Sequence, residues 1–140
     1  MAITAAFTTQ GKADFLGGVH LSTDTYKMAL YTSAATLDAT TTTYSATNEV
    51  ANGNGYTTGG ATLSGFSAGS TGTQGNLTWT SPTWPASTIT ARGAAIYNST
   101  KSNKVVAVLS FGASDIVSTN GTFTVTLPAS GASGGTIQIS

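Results

Sequence analysis

Cysteine is absent from the 140-residue sequence, and its absence excludes disulfide bonds, thiolate metal ligands and cysteine nucleophiles. Charged residues are also scarce. They make up 7% of the sequence, against about 25% in an ordinary soluble domain. Five basic residues balance five acidic ones, and the basic residues are scattered along the chain. Nucleic-acid-binding proteins carry clustered positive charge, so we expect no nucleic-acid partner.

Long apolar runs are missing as well. No stretch reaches the roughly 18 consecutive apolar residues of a membrane-spanning helix, so we expect no membrane span. Residues 1–7 lack the positive and apolar regions of a signal peptide, and the sequence therefore predicts none. The lack of cysteine fits folding in a reducing cytoplasm.

The chain is instead rich in threonine, serine, glycine and alanine, with 39% hydrophobic residues and no net charge. A disordered chain would combine low hydrophobicity with high net charge, so the sequence predicts one folded domain over residues 1–140. Charge repulsion helps to keep proteins apart in solution. A neutral surface of hydroxyl and methyl groups therefore favours a structural protein with close neighbours. A secreted protein with an uncharged coat is the alternative.

One segment near the start has the pattern of a helix. Thr8 or Thr9 can cap a helix over residues 10–16, and Gly17 and Gly18 can end it. We expect its buried side to consist of Ala13, Phe15 and Leu16.

The rest of the chain predicts strands and turns. Apolar residues alternate over 25–31 and 122–127, and 105–111 is a nearly continuous apolar run, which is typical of a strand buried on both faces. Further strands are expected at 44–50, 61–66, 77–80, 89–98 and 136–139. Residues 68–75 are small and polar, which predicts a loop, and Asn120-Gly121 predicts a turn.

Seven to nine short strands and one short N-terminal helix predict an all-β fold, a single β-sandwich with the jelly roll as the leading topology. Its core should contain large apolar side chains from most strands: Tyr26, Met28, Leu30, Trp79, Ile89, Ile96, Val106, Val108, Phe123, Val125 and Ile137.

Catalytic patterns are hard to find. His20 is the only histidine, and neither a nucleophile elbow nor an oxyanion motif accompanies it. The five acidic residues are far apart in sequence, and no histidine pair or carboxylate loop suggests a metal site. We therefore expect a non-enzymatic protein with no catalytic residue, cofactor or metal.

Aromatic residues are the main candidates for an interaction site. Pro82 and Pro85 flank Trp84 and predict that it lies in an extended loop outside a central ladder. Trp84 and Tyr97 could anchor an interface with a partner or a sugar. The alternative places Trp84 over the end of the sandwich core.

Several motifs resemble, in order, a family of small structural proteins of tailed-phage virions. They are FLGGVH at 15–20, DTYKMALYT at 24–32, NEV at 48–50, GYTTGG at 55–60, ARGAAIYN at 91–98 and FG at 111–112. Residues 67–85 match this family least. The size and the predicted fold of the chain also resemble those of jelly-roll capsid cement or decoration proteins, such as the cement protein of a Bordetella phage.

The resemblance implies a cement or decoration protein on the capsid exterior, assembled in the host cytoplasm. Its partner would be the phage major capsid protein, whose neighbouring subunits it would bridge and stabilise, as a homo-oligomer such as a dimer or trimer. A neck, collar or tail component is the second interpretation, and a carbohydrate-binding module of a fibre is the third. Residues 1–7 and 34–43 are the expected contact arms, which makes Phe7 and Thr41 candidate interface residues.

Overall fold

Short antiparallel strands dominate the computed structural model, which describes residues 2–139. In chain order the elements are β1 (Ala6–Phe7), α1 (Thr9–Leu16), β2 (Tyr26–Tyr31), β3 (Ala61–Thr62), β4 (Ser67–Thr71), β5 (Gln74–Thr78), β6 (Thr83–Ala91), β7 (Gly93–Asn98), β8 (Lys104–Ser110), β9 (Ile116–Thr124), a 3-10 turn (Gly131–Ser133) and β10 (Ile137–Ile139).

Within these residues the strands form three sheets. The largest has the order β1-β8-β7-β2-β3, the second β10-β5-β4, and the third pairs β6 with β9. Every paired strand is antiparallel. The all-β, sandwich-like class is therefore confirmed, whereas the jelly-roll topology stays a prediction.

The centre of the large sheet is buried on both faces. Along β2, Met28 and Leu30 pack into a main core cluster, whereas Ala29 and Tyr31 face a second, smaller cluster on the opposite side. The main cluster draws residues from all three sheets. All eleven side chains predicted for the core are buried. The continuous apolar run in β8 is explained in the same way, since both of its faces are covered.

Helix α1 lies against β8 through its smallest residue. The Thr8 side chain caps the helix and accepts a hydrogen bond from the Gly11 N–H at 3.0 Å. A methyl group on Gly11 would lie 2.8 Å from the Val106 carbonyl oxygen, so only glycine permits this approach. The helix and its cap were predicted correctly, but its buried side only in part, since Phe15 packs against the main core cluster whereas Ala13 is exposed. Gly11 and Asp14 are buried, whereas Leu16 is 80% exposed.

Three other local predictions were wrong. Residues 68–75 form most of a β4–β5 hairpin instead of a loop, because the hairpin is built from backbone hydrogen bonds with mostly exposed side chains. Asn120-Gly121 lies inside β9, where the register shifts and Asn120 adopts a left-handed φ of 48°. Residues 44–50 form one isolated bridge, at Glu49, in place of a strand.

Candidate interaction surface

Trp84 lies in the core, as the alternative interpretation of the sequence predicted, and it is not an exposed anchor. It belongs to β6, is 5% exposed and packs edge-on against Phe123 with ring centroids 6.0 Å apart. Pro85 is accommodated because β6 pairs on one side only and its register shifts after Trp84. The residue therefore holds β6 and β9 to the core and offers little surface to a partner.

Tyr97 is also buried, so the structure corrects its assignment to an exposed interface. It is 3% exposed, stacks on Tyr44 at 4.5 Å between centroids, and donates its hydroxyl to the Gly59 carbonyl at 2.6 Å. The two aromatic candidates point to different core clusters. They do not form a shared platform for a sugar.

A carboxylate organises the loop that covers Tyr97. Glu49 accepts hydrogen bonds from the Tyr44 hydroxyl at 2.7 Å, the Tyr56 hydroxyl at 2.5 Å and the Gly59 N–H at 2.7 Å. Burial and the adjacent carboxylate raise the pKa of both phenols far above the ordinary value. Each of these contacts is a charge-assisted hydrogen bond within the chain, so the cluster fixes the loop to the sheet.

The two expected contact arms are integrated into the fold where the structure describes them. Met1 lies outside the described residues, Ile3 bridges Leu37, and Phe7 pairs with β8. Leu37 is buried, and Thr41 is half-buried in a turn where its hydroxyl accepts from the Asp38 N–H at 3.0 Å. Residues 2–7 and 34–43 therefore do not project as free arms.

His20 lies at the centre of a buried polar cluster. Asn98 Nδ2 lies 3.0 Å from His20 Nδ1 and donates to Asp24 Oδ2 at 2.7 Å. The other ring nitrogen, Nε2, faces Asp14 Oδ2 at 3.7 Å. Because Asn98 donates to Nδ1, the ring carries its proton on Nε2, pointing toward Asp14.

This cluster joins α1 to the large sheet at Asn98, where β7 ends. The His20 side chain is fully buried and packs on Phe15 at 4.9 Å between ring centroids. Burial lowers its pKa below the ordinary histidine value, although Asp14 opposes that shift. A ring enclosed in this way has no open side for a substrate. Its contacts hold the helix, the segment after it and Asn98 together.

Three of the five exposed large apolar side chains among the described residues line a groove that extends from the space between the end strands β1 and β10 to β9. A hollow of about 330 Å³ lies between residues 5–7 and 136–138. It adjoins a hollow of about 310 Å³ between Phe7, Leu16 and Ile139. On its other side, Leu109 and Thr136 connect it to a third hollow of about 370 Å³. We call these three hollows together the β1–β10 groove.

Large apolar side chains line this groove without being covered. Leu16 is 80% exposed, Ile139 47% and Ile116 46%. Among the described residues that line the three hollows, Lys12 is the charged one. Clustered exposed apolar groups on a soluble fold indicate an interaction site, whereas single ones do not.

Phe7 lines this groove, although the sequence named it as part of a contact arm, and Leu16, Ile116 and Ile139 were not among the predicted interface residues. Ile116 carried a usable signal, because Val117 follows it. Two consecutive apolar residues in a strand point to opposite faces, so they cannot both face the same core. Leu16 carried none, because its exposure results from the close contact of Gly11 with β8.

Comparison with known proteins identifies no relative. No family model, curated protein or solved structure matches the chain. In the part of the chain that the structure describes, none of the helices could cross a membrane, and His, Asp and Glu side chains do not gather in threes as metal ligands would. Fold and surface thus define an all-β protein with an exposed apolar groove.

Proposed function

We propose that the protein is a structural component of a tailed-phage virion, and specifically a capsid cement protein. It would bind the exterior of the capsid, bridge neighbouring major capsid subunits and act as a dimer or trimer after assembly in the host cytoplasm. In this proposal it is not an enzyme and takes no cofactor. The observation that carries the proposal is the β1–β10 groove, an apolar surface left open on a body with no net charge.

The physics of a shell explains why such a protein would be useful. A lattice under internal pressure fails where subunits separate, and a clip bound to two subunits adds contact area across that seam. A stable protein interface buries about 1,200–2,000 Å², and several simultaneous contacts multiply the apparent affinity. The doubly buried centre of the large sheet supports the stiffness that a clip needs.

The motifs that resemble those of phage virion proteins support the same proposal. They include DTYKMALYT at 24–32 and ARGAAIYN at 91–98, which supply the adjacent central strands β2 and β7. These motifs therefore belong to the framework, and the groove lies mostly outside them. A neck or tail component would share that framework and differ in copy number. The carbohydrate module loses its support, because Trp84 and Tyr97 are buried.

Quantitative mass spectrometry of purified particles tests the proposal. Phage particles produced by the strain that carries the gene would be purified by density gradient, and the chain would be counted against the major capsid protein. A cement protein should occur at a copy number close to that of the major capsid protein. A few copies per particle would favour the neck or tail, and absence from particles would refute a virion role.

A further inference from the structure

The β1–β10 groove has two walls of the same kind. β1 is the end strand of the large sheet, and β10 is the end strand of the second sheet. Residues 5–7 and 136–138 line one hollow, so the two end strands face each other across it. End strands present backbone N–H and C=O groups that their own sheet does not pair.

The hydrogen-bond pattern of β1 shows which of its backbone groups face the groove. The Thr8 N–H donates to the Val106 carbonyl at 3.0 Å, which makes these two residues a hydrogen-bonded pair. Such pairs alternate along an antiparallel ladder, and Ala6 is opposite Val108 two residues away. The N–H and C=O of the intervening residue, Phe7, therefore point away from β8.

Neither edge strand carries a charged residue or a proline. Natural end strands are protected by such residues, by bulges or by being very short. β1 consists of Ala6 and Phe7, and β10 consists of Ile137, Gln138 and Ile139, all of them uncharged. The exposed Ile139 lies beside this edge. Short length is the protection that remains, at two and three residues, so an added strand gains few backbone hydrogen bonds here and needs the side-chain contacts of the hollows as well.

We propose that the β1–β10 groove accepts an extended segment of a neighbouring shell protein, which pairs with these open edges and places alternate side chains in the three hollows. Recognition of this kind takes affinity from backbone hydrogen bonds and specificity from pockets for every second side chain. The identity of the partner as a shell subunit rests on the proposed function. The mode of recognition rests on the groove itself.

Charge defines the chemistry of the occupant. The groove favours apolar side chains along most of its length, since its lining is uncharged except at Lys12. The four ion pairs among the described residues do not include Lys12. The occupant should therefore alternate apolar residues and carry an acidic residue at the end near α1.

A second copy of this chain is a poorer occupant than a different protein. An inserted strand has to come from a segment that is free to pair. Within residues 2–139, Ala6–Phe7 is already paired with β8 and Ile137–Ile139 with β5. Each terminal strand of a second copy therefore has one free edge, and it could pair with both walls of the groove only by leaving its own ladder.

Overlapping synthetic peptides of about 10 residues, roughly 33 Å when extended, test the inference. They would cover the major capsid protein of the same phage and be probed with the wild-type chain, Ile139→Lys and Leu21→Lys. Leu21 is the matched control, because it is 45% exposed and lies outside the groove. We expect one stretch with alternating apolar residues to bind, Ile139→Lys to weaken binding at least roughly tenfold, and Leu21→Lys to bind like the wild type.

Backbone methylation of the bound peptide separates strand pairing from simple apolar contact. N-methylation at every second residue removes the donors on one edge of the peptide. Because the segment pairs with β1 on one edge and with β10 on the other, each of the two alternate sets of methylated peptides should bind more weakly than the unmethylated peptide. Binding by both sets at the level of the unmethylated peptide would overturn the strand-pairing proposal. Circular dichroism of both Lys variants would verify that they fold.

Binding to intact capsids tests the groove inference separately from the proposed function. If Ile139→Lys occupies capsids as the wild type does and no peptide binds, the groove inference is overturned while the proposed function stands. If the wild type binds neither capsids nor peptides, both are refuted. Self-association that Ile139→Lys abolishes, measured by sedimentation, would overturn the shell-protein occupant in favour of a second copy.

Discussion

Replacing Gly11 by alanine should destabilise the protein, although the same change inside a helix normally stabilises it. Alanine has the better helix propensity, by about 1 kcal/mol. Here the added Cβ would lie 2.6 Å from the Thr8 hydroxyl and 2.8 Å from the Val106 carbonyl oxygen. Disrupting the Thr8 cap costs about 1 kcal/mol, and overpacking against a rigid backbone costs about 1–3 kcal/mol. The net expectation is a loss of about 1–3 kcal/mol.

Urea unfolding followed by circular dichroism measures this loss. The matched control is Gly17→Ala, the same chemical change at the exposed end of the helix, where φ is −80° and suits alanine. We expect Gly17→Ala to change stability by less than about 0.5 kcal/mol. A Gly11→Ala variant as stable as the wild type would refute the close packing of α1 on β8.

Three further predictions concern Trp84, Glu49 and His20. Trp84→Ala should lower the free energy of unfolding by about 3–5 kcal/mol, and a loss below about 1 kcal/mol in urea unfolding would contradict its place in the core. Glu49→Gln should lower the free energy of unfolding by about 1–3 kcal/mol, because the loop loses one of the two oxygens that accept its hydrogen bonds. Stability equal to that of the wild type would show that the loop does not depend on the Glu49 carboxylate. Stability should also fall as pH is lowered below about 6.5, because His20 is buried neutral and its folded-state pKa lies below that of the unfolded chain.

The sign of the His20 effect follows from proton linkage. Above about pH 6.5 the ring is neutral in both states, so His20 contributes no pH dependence there. Below that pH the unfolded chain binds the proton more readily, so stability is lost as pH falls toward the folded-state pKa. His20→Gln should flatten this part of the curve in urea titrations at several pH values. An unchanged slope would show that another group titrates.

The large sheet could be predicted because its strands have strong hydrophobic patterns. Met28 and Leu30 alternate with Ala29 and Tyr31, and the run in β8 is continuous, as double burial requires. The β4–β5 hairpin could not be found in this way, since β4 consists of small and polar residues that are mostly exposed and the buried residues of β5, Asn76 and Thr78, are polar. Backbone hydrogen bonds hold it, and they leave no periodic trace in the sequence.

The interaction surface was harder to predict than the fold. Trp84 and Tyr97 are large aromatics near prolines and polar turns, and this pattern is shared by core residues and interface anchors. Burial decides between the two, and burial depends on contacts between distant strands such as β6 and β9. The exposure of Leu16 depends likewise on how α1 meets β8. Phe7 was named as part of an N-terminal arm, whereas the structure pairs it with β8 and places it at the wall of the groove, so its role at an interface stays a prediction.

Hydrogen–deuterium exchange on particle-bound and free protein tests the central claim most directly. Amides gain protection where an interface or a new backbone hydrogen bond forms. If the protein binds a shell through the β1–β10 groove, protection should increase at residues 5–7 and 136–139 and stay unchanged in β4. Protection that increases in β4 or at residues 34–43, with none at the groove, would contradict the account.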